Sequence, residues 1–190
     1  MRRWRTLLLV LLLLALPRAA ARSAKDSPCP GVRLNEILSR PASDWNGDRS
    51  PDVYDQWVEL FNGGASACDL YGWALHSTWA SYGSAVHSWY TFTTSIELPA
   101  GGYLVLYRND DQGLQLNKDH ISDLSLIAPN GTTADRNWQV PPMLADHSEA
   151  RSDDGSVWNP SECPTPGKAN HFTPPCPKDL GPLYLPLVQR

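Results

Sequence analysis

Short apolar runs separated by turn residues dominate the chain after its first two dozen residues, and helical periodicity is almost absent. Runs rich in Val, Ile, Leu, Tyr, Trp and Phe recur between clusters of Gly, Pro, Asn and Asp. This pattern is typical of short β-strands and predicts an all-β sandwich or barrel. The predicted strands are 32–38, 56–61, 70–76, 86–92, 103–107, 121–127, 132–135 and 157–158.

One strand and two turns carry more specific signals. Residues 103–107 are close to continuously apolar, which predicts a central strand buried on both faces. The sequence Pro99-Ala100-Gly101-Gly102 combines a proline that sets φ with glycines that tolerate a positive φ, so it predicts a turn. Pro129-Asn130-Gly131 is typical of a hairpin turn.

The N-terminus has the three parts of a secretory signal peptide. A basic start precedes an unbroken apolar run at 7–16, and small residues follow at Ala19-Ala20-Ala21. We expect cleavage after Ala21, with Ala24 as the alternative. The apolar run is shorter than the roughly 20 residues that span a bilayer, although an uncleaved N-terminal anchor is a second interpretation. The prediction is a secreted protein whose mature part has no transmembrane segment.

The remaining chain divides into three predicted parts. Residues 22–31 are a polar linker, 32–172 form the domain, and 173–190 are a proline-rich C-terminal tail. The predicted mature chain keeps 12 of the 16 basic residues against 20 acidic residues, a formal net charge of −8. Such a charge repels phosphate backbones, so no nucleic-acid partner is expected.

Four cysteines in an exported chain favour two disulfides. Four cysteines allow three pairings, and the sequence does not choose among them. We expect Cys29 to pair with Cys176, which would join the two ends of the domain. Cys68 would then pair with Cys163.

The acidic stretch 44–55 predicts a calcium site. An EF-hand-type loop uses positions 1, 3, 5, 7, 9 and 12 as ligands. Arg49 replaces the usual glycine at position 6, and the last ligand is Asp rather than Glu. The alternative is a solvated acidic turn. The predicted ligands are Asp44, Asn46, Asp48, Ser50, Asp52 and Asp55.

Recognisable catalytic motifs are absent from the sequence. The five histidines show no metal-protease spacing, and there is no Gly-x-Ser-x-Gly sequence. Glu36 and Glu59 are a candidate carboxylate pair, but we expect them to accept hydrogen bonds from backbone amides or from Arg151. The chain is therefore predicted not to be an enzyme. The alternative is a secreted metal-dependent hydrolase, either a nuclease or a phosphoesterase, because catalytic triads assemble in space.

Several sequence fragments, in this order and spacing, resemble the lamin-tail domain, in particular its exported bacterial versions. They extend over roughly residues 32–171. They are 34–37 (LNEI), 57–62 (WVELFN), 69–75 (DLYGWAL), 98–105 (LPAGGYLV), 148–151 (SEAR) and 164–170 (PTPGKAN).

The resemblance implies an immunoglobulin-like β-sandwich that serves as a non-catalytic interaction module. We therefore predict a secreted binding or scaffolding module, stabilised by Ca²⁺, that contacts proteins or glycans at the cell surface. The aromatic side chains expected to contact the partner are Trp79, Tyr82 and Trp89. The alternative is that these rings close one end of the sandwich.

Overall fold

A computed structural model describes residues 29–108, 114–120 and 122–176 of the 190-residue chain. This part contains eleven β-strands and one short 3-10 helix, Val53–Asp55. The strands are β1 Val32–Leu38, β2 Trp57–Asn62, β3 Cys68–Asp69, β4 Ala74–Ser81, β5 Ser84–Thr91, β6 Glu97–Leu98, β7 Tyr103–Tyr107, β8 Ser122–Ile127, β9 Thr133–Val140, β10 Ser148–Arg151 and β11 Trp158–Ser161.

Two antiparallel sheets pack as a sandwich. One has five strands in the order β11-β10-β1-β2-β7, and the other has four in the order β5-β4-β8-β9. The short strands β3 and β6 pair with each other. The prediction of an all-β, immunoglobulin-like sandwich is confirmed.

The core lies between the sheets because alternate residues of each strand point inward. Val58 and Leu60 of β2 are fully buried, as are Leu124 and Leu126 of β8. One continuous cluster joins both sheets and also includes Leu34, Trp73, Leu75, Phe92 and Leu106.

The outer face of the five-stranded sheet is covered as well. Leu38, Trp57 and Val105 form a second small buried cluster there. Trp45 packs its ring edge against Trp57, with ring centroids 6.3 Å apart. The acidic loop that carries Trp45 therefore lies over this sheet, which explains why β2 is buried on both faces.

Each predicted strand overlaps an observed strand, several with shifted ends, but the predicted central position of 103–107 is wrong. The predicted strand 70–76 begins only at Ala74, because Gly72 adopts φ +79° in a turn that precedes it. The predicted central strand 103–107 is β7, which lies at the edge of its sheet. Strand β10, whose four residues are all buried, was not predicted from the sequence. Ile121, the first residue of the predicted strand 121–127, lies outside the described residues.

The predicted disulfide pairing is wrong. Cys29 pairs with Cys68, and Cys163 pairs with Cys176. Cys29 immediately precedes β1, and the hydrogen bond from Gly63 N to Gly31 O holds this start beside the end of β2, close to β3. After β11 the chain reverses direction, and the backbones of Cys163 and His171 form an isolated antiparallel β-bridge. This reversal brings Cys176 back to Cys163. Neither disulfide joins the two ends of the domain, contrary to the prediction.

Candidate functional site

The acidic loop uses its carboxylates to hold its own backbone. Asp44 accepts hydrogen bonds from the amides of Gly47 and Arg49, at 2.7 and 2.8 Å. Asp48 accepts from the Ser50 amide at 2.8 Å, and Asp52 accepts from the amide of Tyr54 at 2.7 Å. These contacts are typical of Asx turns, in which an Asp side chain satisfies amides a few residues further along.

Asp55 is the centre of this loop. It is fully buried. One of its oxygens accepts from the amides of Trp45 and Asn46, at 2.6 and 2.8 Å, and the other accepts from the Asp52 amide at 2.8 Å. Asp55 therefore fixes Trp45 against the sheet. Within residues 29–108, 114–120 and 122–176, no group of three or more His, Cys, Asp or Glu side chains is arranged to hold a metal. Calcium binding by Asp44, Asn46, Asp48, Ser50, Asp52 and Asp55 stays a prediction.

Two buried carboxylates lie side by side in the five-stranded sheet. Glu36 of β1 and Glu59 of β2 are opposite each other in the strand register, and both are completely buried. Glu36 accepts from the Ser148 hydroxyl at 2.5 Å and from the Thr165 amide and hydroxyl at 3.0–3.2 Å. Glu59 accepts from the Gly167 amide at 2.5 Å. Residues 163–171, which we call the C-terminal strap, are thus bound to the sheet by these two side chains.

Burial controls the protonation of these groups. It raises the pKa of Glu36 to about 7, against hydrogen bonds from Ser148 and Thr165 that favour the charged form. Burial, together with the adjacent Glu36, raises the pKa of Glu59 well above its usual value. Burial likewise raises the pKa of Glu149 to about 7, although Asn137 donates a hydrogen bond to it. Because Glu36 and Glu59 are closed to solvent, they stabilise the strap rather than meet a substrate.

Arg151 does not pair with either glutamate. Its guanidinium donates to the Leu34 carbonyl at 3.0 Å, to the Gly155 carbonyl at 2.7 Å and to the Asp135 carboxylate at 2.5 Å. The expectation of backbone donors for Glu36 and Glu59 is confirmed, whereas the expected arginine partner is wrong. Arg151 instead connects β10 to Asp135 of the opposite sheet.

The exposed face of the four-stranded sheet carries a different cluster. His76 and Thr78 of β4 face Trp89 and His87 of β5, respectively, across the hairpin. The His76 ring stacks on the Trp89 ring with a centroid distance of 3.8 Å and an interplanar angle of 12°. His76 Nε2 lies 3.0 Å from His87 Nδ1, and the Thr78 hydroxyl lies 3.1 Å from His76 Nε2. Burial, and then the neighbouring His87, lowers the pKa of His76.

The same face continues across β8 and β9. Asp123 of β8 lies opposite Thr78 in the strand register. The Arg136 guanidinium of β9 makes a two-point ion pair with Asp123, with Nε to Oδ1 at 2.6 Å. The guanidinium also lies 3.2 Å from the ring centroid of Trp138. We name this surface the outer aromatic face. Its members are His76, Thr78, His87, Trp89, Asp123, Arg136 and Trp138.

The three predicted contact residues do not share one surface. Trp89 is 48% exposed on the outer aromatic face. Trp79 follows Leu75 and Ser77 at alternate positions of β4, so it points to the opposite, inner side and is half-buried. Tyr82 is fully exposed at the tip of the β4–β5 hairpin, with φ +48°. Of the expected contact residues, Trp89 therefore lies on this face and Tyr82 at its end, whereas Trp79 lies on the opposite side of the sheet. The partner contact itself stays a prediction.

Comparison with known families shows to which family the chain belongs. The sequence profile of the Lamin Tail Domain family matches residues 25–154. The chain belongs to the lamin tail domain family. This family comprises non-enzymatic, immunoglobulin-like domains, in agreement with the sandwich described above. No curated protein matches the chain.

The lamin tail domain of this chain has structural elements beyond the matched residues. Strand β11 and the C-terminal strap both follow residue 154. Both are nevertheless part of the folded domain. Strand β11 extends the five-stranded sheet, and backbone amides of the strap donate hydrogen bonds to Glu36 and Glu59. In the part of the lamin tail domain that the structure covers, no helix is long and apolar enough to cross a membrane.

The sequence analysis missed Asp123, Arg136 and Trp138 on this lamin tail domain. A usable signal existed for β5, because a two-residue turn at Tyr82-Gly83 sets Trp89 opposite His76. The hairpin turn at Pro129-Asn130-Gly131 marked the start of β9, but register shifts between β8 and β9 prevented counting from that turn to Arg136 and Trp138. Trp138, 67% exposed, therefore had no predicted neighbour.

Proposed function

We propose that this lamin tail domain is a secreted, non-catalytic binding module that holds glycans at the cell surface on its outer aromatic face. The observation that supports this proposal most strongly is that two exposed tryptophans, Trp89 and Trp138, lie on one face of the sheet with hydrogen-bonding side chains between them. Tryptophan is enriched at binding interfaces, because its large ring contributes much contact area while its N–H can still form a hydrogen bond.

The row of contacts across the face supports a ligand that lies flat on the sheet. Trp89 is on β5 and Trp138 on β9, three strand spacings apart, or about 14 Å at about 4.8 Å per spacing. Between them, His76, Asp123 and Arg136 present planar polar groups. Such groups donate and accept hydrogen bonds at fixed positions, while the indole rings offer apolar surface to the C–H faces of sugar rings.

The composition of the face favours a glycan over a protein partner. The central part of a stable protein interface is depleted of charged residues. Here an ion pair, Asp123–Arg136, and the His76–His87 pair occupy the centre, with the apolar rings at the two ends. A protein ligand is the second candidate class and is an outcome of the test below.

Secretion and calcium belong to the same proposal. Two disulfides support an oxidising compartment, in which such bonds persist. Calcium at the acidic loop would stabilise the domain, as its carboxylates repel one another without a cation. The hydrolase alternative has no observation in its favour.

A glycan array and a protein array, run side by side, test the proposed function. The purified protein is applied beside Trp138→Ala, which removes an exposed ring of the face, and beside Tyr71→Ala as the matched control. Tyr71 is 53% exposed but belongs to the turn before β4. We expect retention on particular glycans by the parent and by Tyr71→Ala, and loss by Trp138→Ala. Retention only on protein ligands, or equal retention by all three, would contradict the glycan proposal.

A further inference from the structure

Two imidazoles on the outer aromatic face meet nitrogen to nitrogen. His76 is on β4 and His87 is diagonally across the hairpin on β5, since Thr78 is the residue directly opposite His87. The ring planes differ by 7°, but the ring centroids are 5.3 Å apart while the nearest nitrogens are 3.0 Å apart. The rings therefore meet edge to edge, and in the metal-free protein one of these two nitrogens donates its N–H to the other. A metal ion would replace this shared proton.

The Thr78 hydroxyl completes a triangle of donor atoms. It lies 3.1 Å from His76 Nε2 and 3.4 Å from His87 Nδ1, and the nitrogens are 3.0 Å apart. With metal–nitrogen bonds of 2.0–2.1 Å, neighbouring donor atoms lie about 3.3–3.4 Å apart in tetrahedral geometry. They lie about 2.8–3.0 Å apart in the square-planar geometry that Cu²⁺ prefers. The triangle is therefore close to the size of one face of a metal coordination polyhedron, and small side-chain rotations bring it to that size.

We propose that His76 and His87 bind one divalent transition-metal ion at this triangle. Imidazole nitrogens suit Cu²⁺, Ni²⁺ and Zn²⁺, and Cu²⁺ forms the tightest complexes of this series. The Thr78 hydroxyl, or a water that it orients, takes a third position. The remaining positions are open to solvent or to a ligand from outside, because the described residues bring no third His, Cys, Asp or Glu side chain to the site.

The surroundings hold the imidazoles in place. The stacking of His76 on Trp89 at 3.8 Å fixes the plane of one ring. Asp123 lies opposite Thr78, but its two oxygens are engaged by Arg136, so it contributes negative charge near the site rather than a ligand. The acidic loop is on the other sheet's outer face, so this site is separate from the predicted calcium site.

Calorimetric titration of the full chain, produced without a histidine tag, tests the proposal. The probes are CuCl₂ and ZnCl₂ alone, added to the parent and to His76→Ala, His87→Ala and His120→Ala. His120 is an exposed histidine outside the face and is the matched control. We expect one Cu²⁺ per chain in the parent and in His120→Ala, with weaker Zn²⁺ binding. Each of the other two substitutions should weaken Cu²⁺ binding at least about tenfold.

A second measurement uses the parent protein alone and so does not depend on variants that fold. Substoichiometric Cu²⁺ should broaden the imidazole nuclear magnetic resonances of His76 and His87 before those of the other three histidines. Broadening spread evenly over all five histidines would overturn the proposal. So would Cu²⁺ binding that His76→Ala and His87→Ala leave unchanged, or an absence of binding in the parent.

Discussion

Stability should fall as pH rises from 5 to 8, and Glu36 should cause much of this loss. The pKa of Glu36 is about 7 in the folded protein, against 4.5 for the unfolded chain. A group whose pKa is raised by folding favours the protonated folded state. Its stabilising effect is complete below pH 4.5 and is lost as pH rises through 7.

The size of the effect follows from the two pKa values. The rise in the pKa of Glu36 from 4.5 to about 7 corresponds to about 3 kcal/mol in the free energy of unfolding, most of which is lost between pH 5 and pH 8. Glu36 is fully buried, so solvent screening does not reduce this figure. Glu59 and Glu149 have raised pKa values too, and both act in the same direction.

Urea unfolding at pH 5, 6, 7 and 8 measures this slope for the parent and for Glu36→Gln. Glutamine keeps the shape of the glutamate side chain and can accept the hydrogen bond from the Thr165 amide, but it does not ionise. The substitution also removes the negative charge of Glu36, which contributes to the raised pKa of Glu59. We expect the variant to lose about 2 kcal/mol less than the parent over this range. Any constant cost of the substitution does not change the slope.

Glu162→Gln is the matched control because Glu162 is exposed, and it adjoins the strap. Its pH slope should equal that of the parent. Equal slopes for the parent and Glu36→Gln, or a stability that rises from pH 5 to pH 8 in the parent, would refute the assignment of a raised pKa to buried Glu36.

Three further predictions address the loops and links. Replacing Cys29 and Cys68 together by Ser should lower the free energy of unfolding by about 4 kcal/mol, because their link closes a loop with a sequence separation of 39; urea unfolding measures the loss, and non-reducing peptide mapping checks the pairing. Millimolar Ca²⁺ should raise the melting temperature of the parent relative to chelator but not that of Asp48→Ala, whereas equal values in all four samples would rule out the predicted site. Tyr82→Asn should raise stability by up to about 1 kcal/mol, since asparagine adopts φ +48° more readily than tyrosine, and a lower melting temperature would contradict this.

The fold was largely accessible from the sequence because apolar alternation and turn residues mark most strands directly. Val32–Leu38 has the predicted bounds. The position of 103–107 was not accessible in the same way, because its apolar run reflects cover by other segments rather than a central place in the sheet. The all-buried β10 was also missed, since Ser148–Arg151 carries two charged residues whose partners lie on other strands, on β9 for Glu149 and on β9 and β1 for Arg151.

The candidate site was less accessible because it depends on neighbours across strands. The histidines looked scattered in sequence, yet the turn at Tyr82-Gly83 brings His76 and His87 together. The disulfide pairing depended on the chain reversal after β11, for which the local sequence gives no register. Hydrogen bonds from the strap to Glu36 and Glu59 span more than 100 residues, a separation over which sequence pattern alone does not specify contacts.

The indole N–H resonances of Trp89 and Trp138 report on ligand binding at the outer aromatic face. A soluble form of a glycan that retains the protein on the array is titrated into the protein. The indole N–H signals are followed by nuclear magnetic resonance. We expect the signals of Trp89 and Trp138 to shift and the signal of buried Trp73 to stay constant. Saturable binding that leaves both exposed indoles unshifted would place the glycan elsewhere and contradict the account.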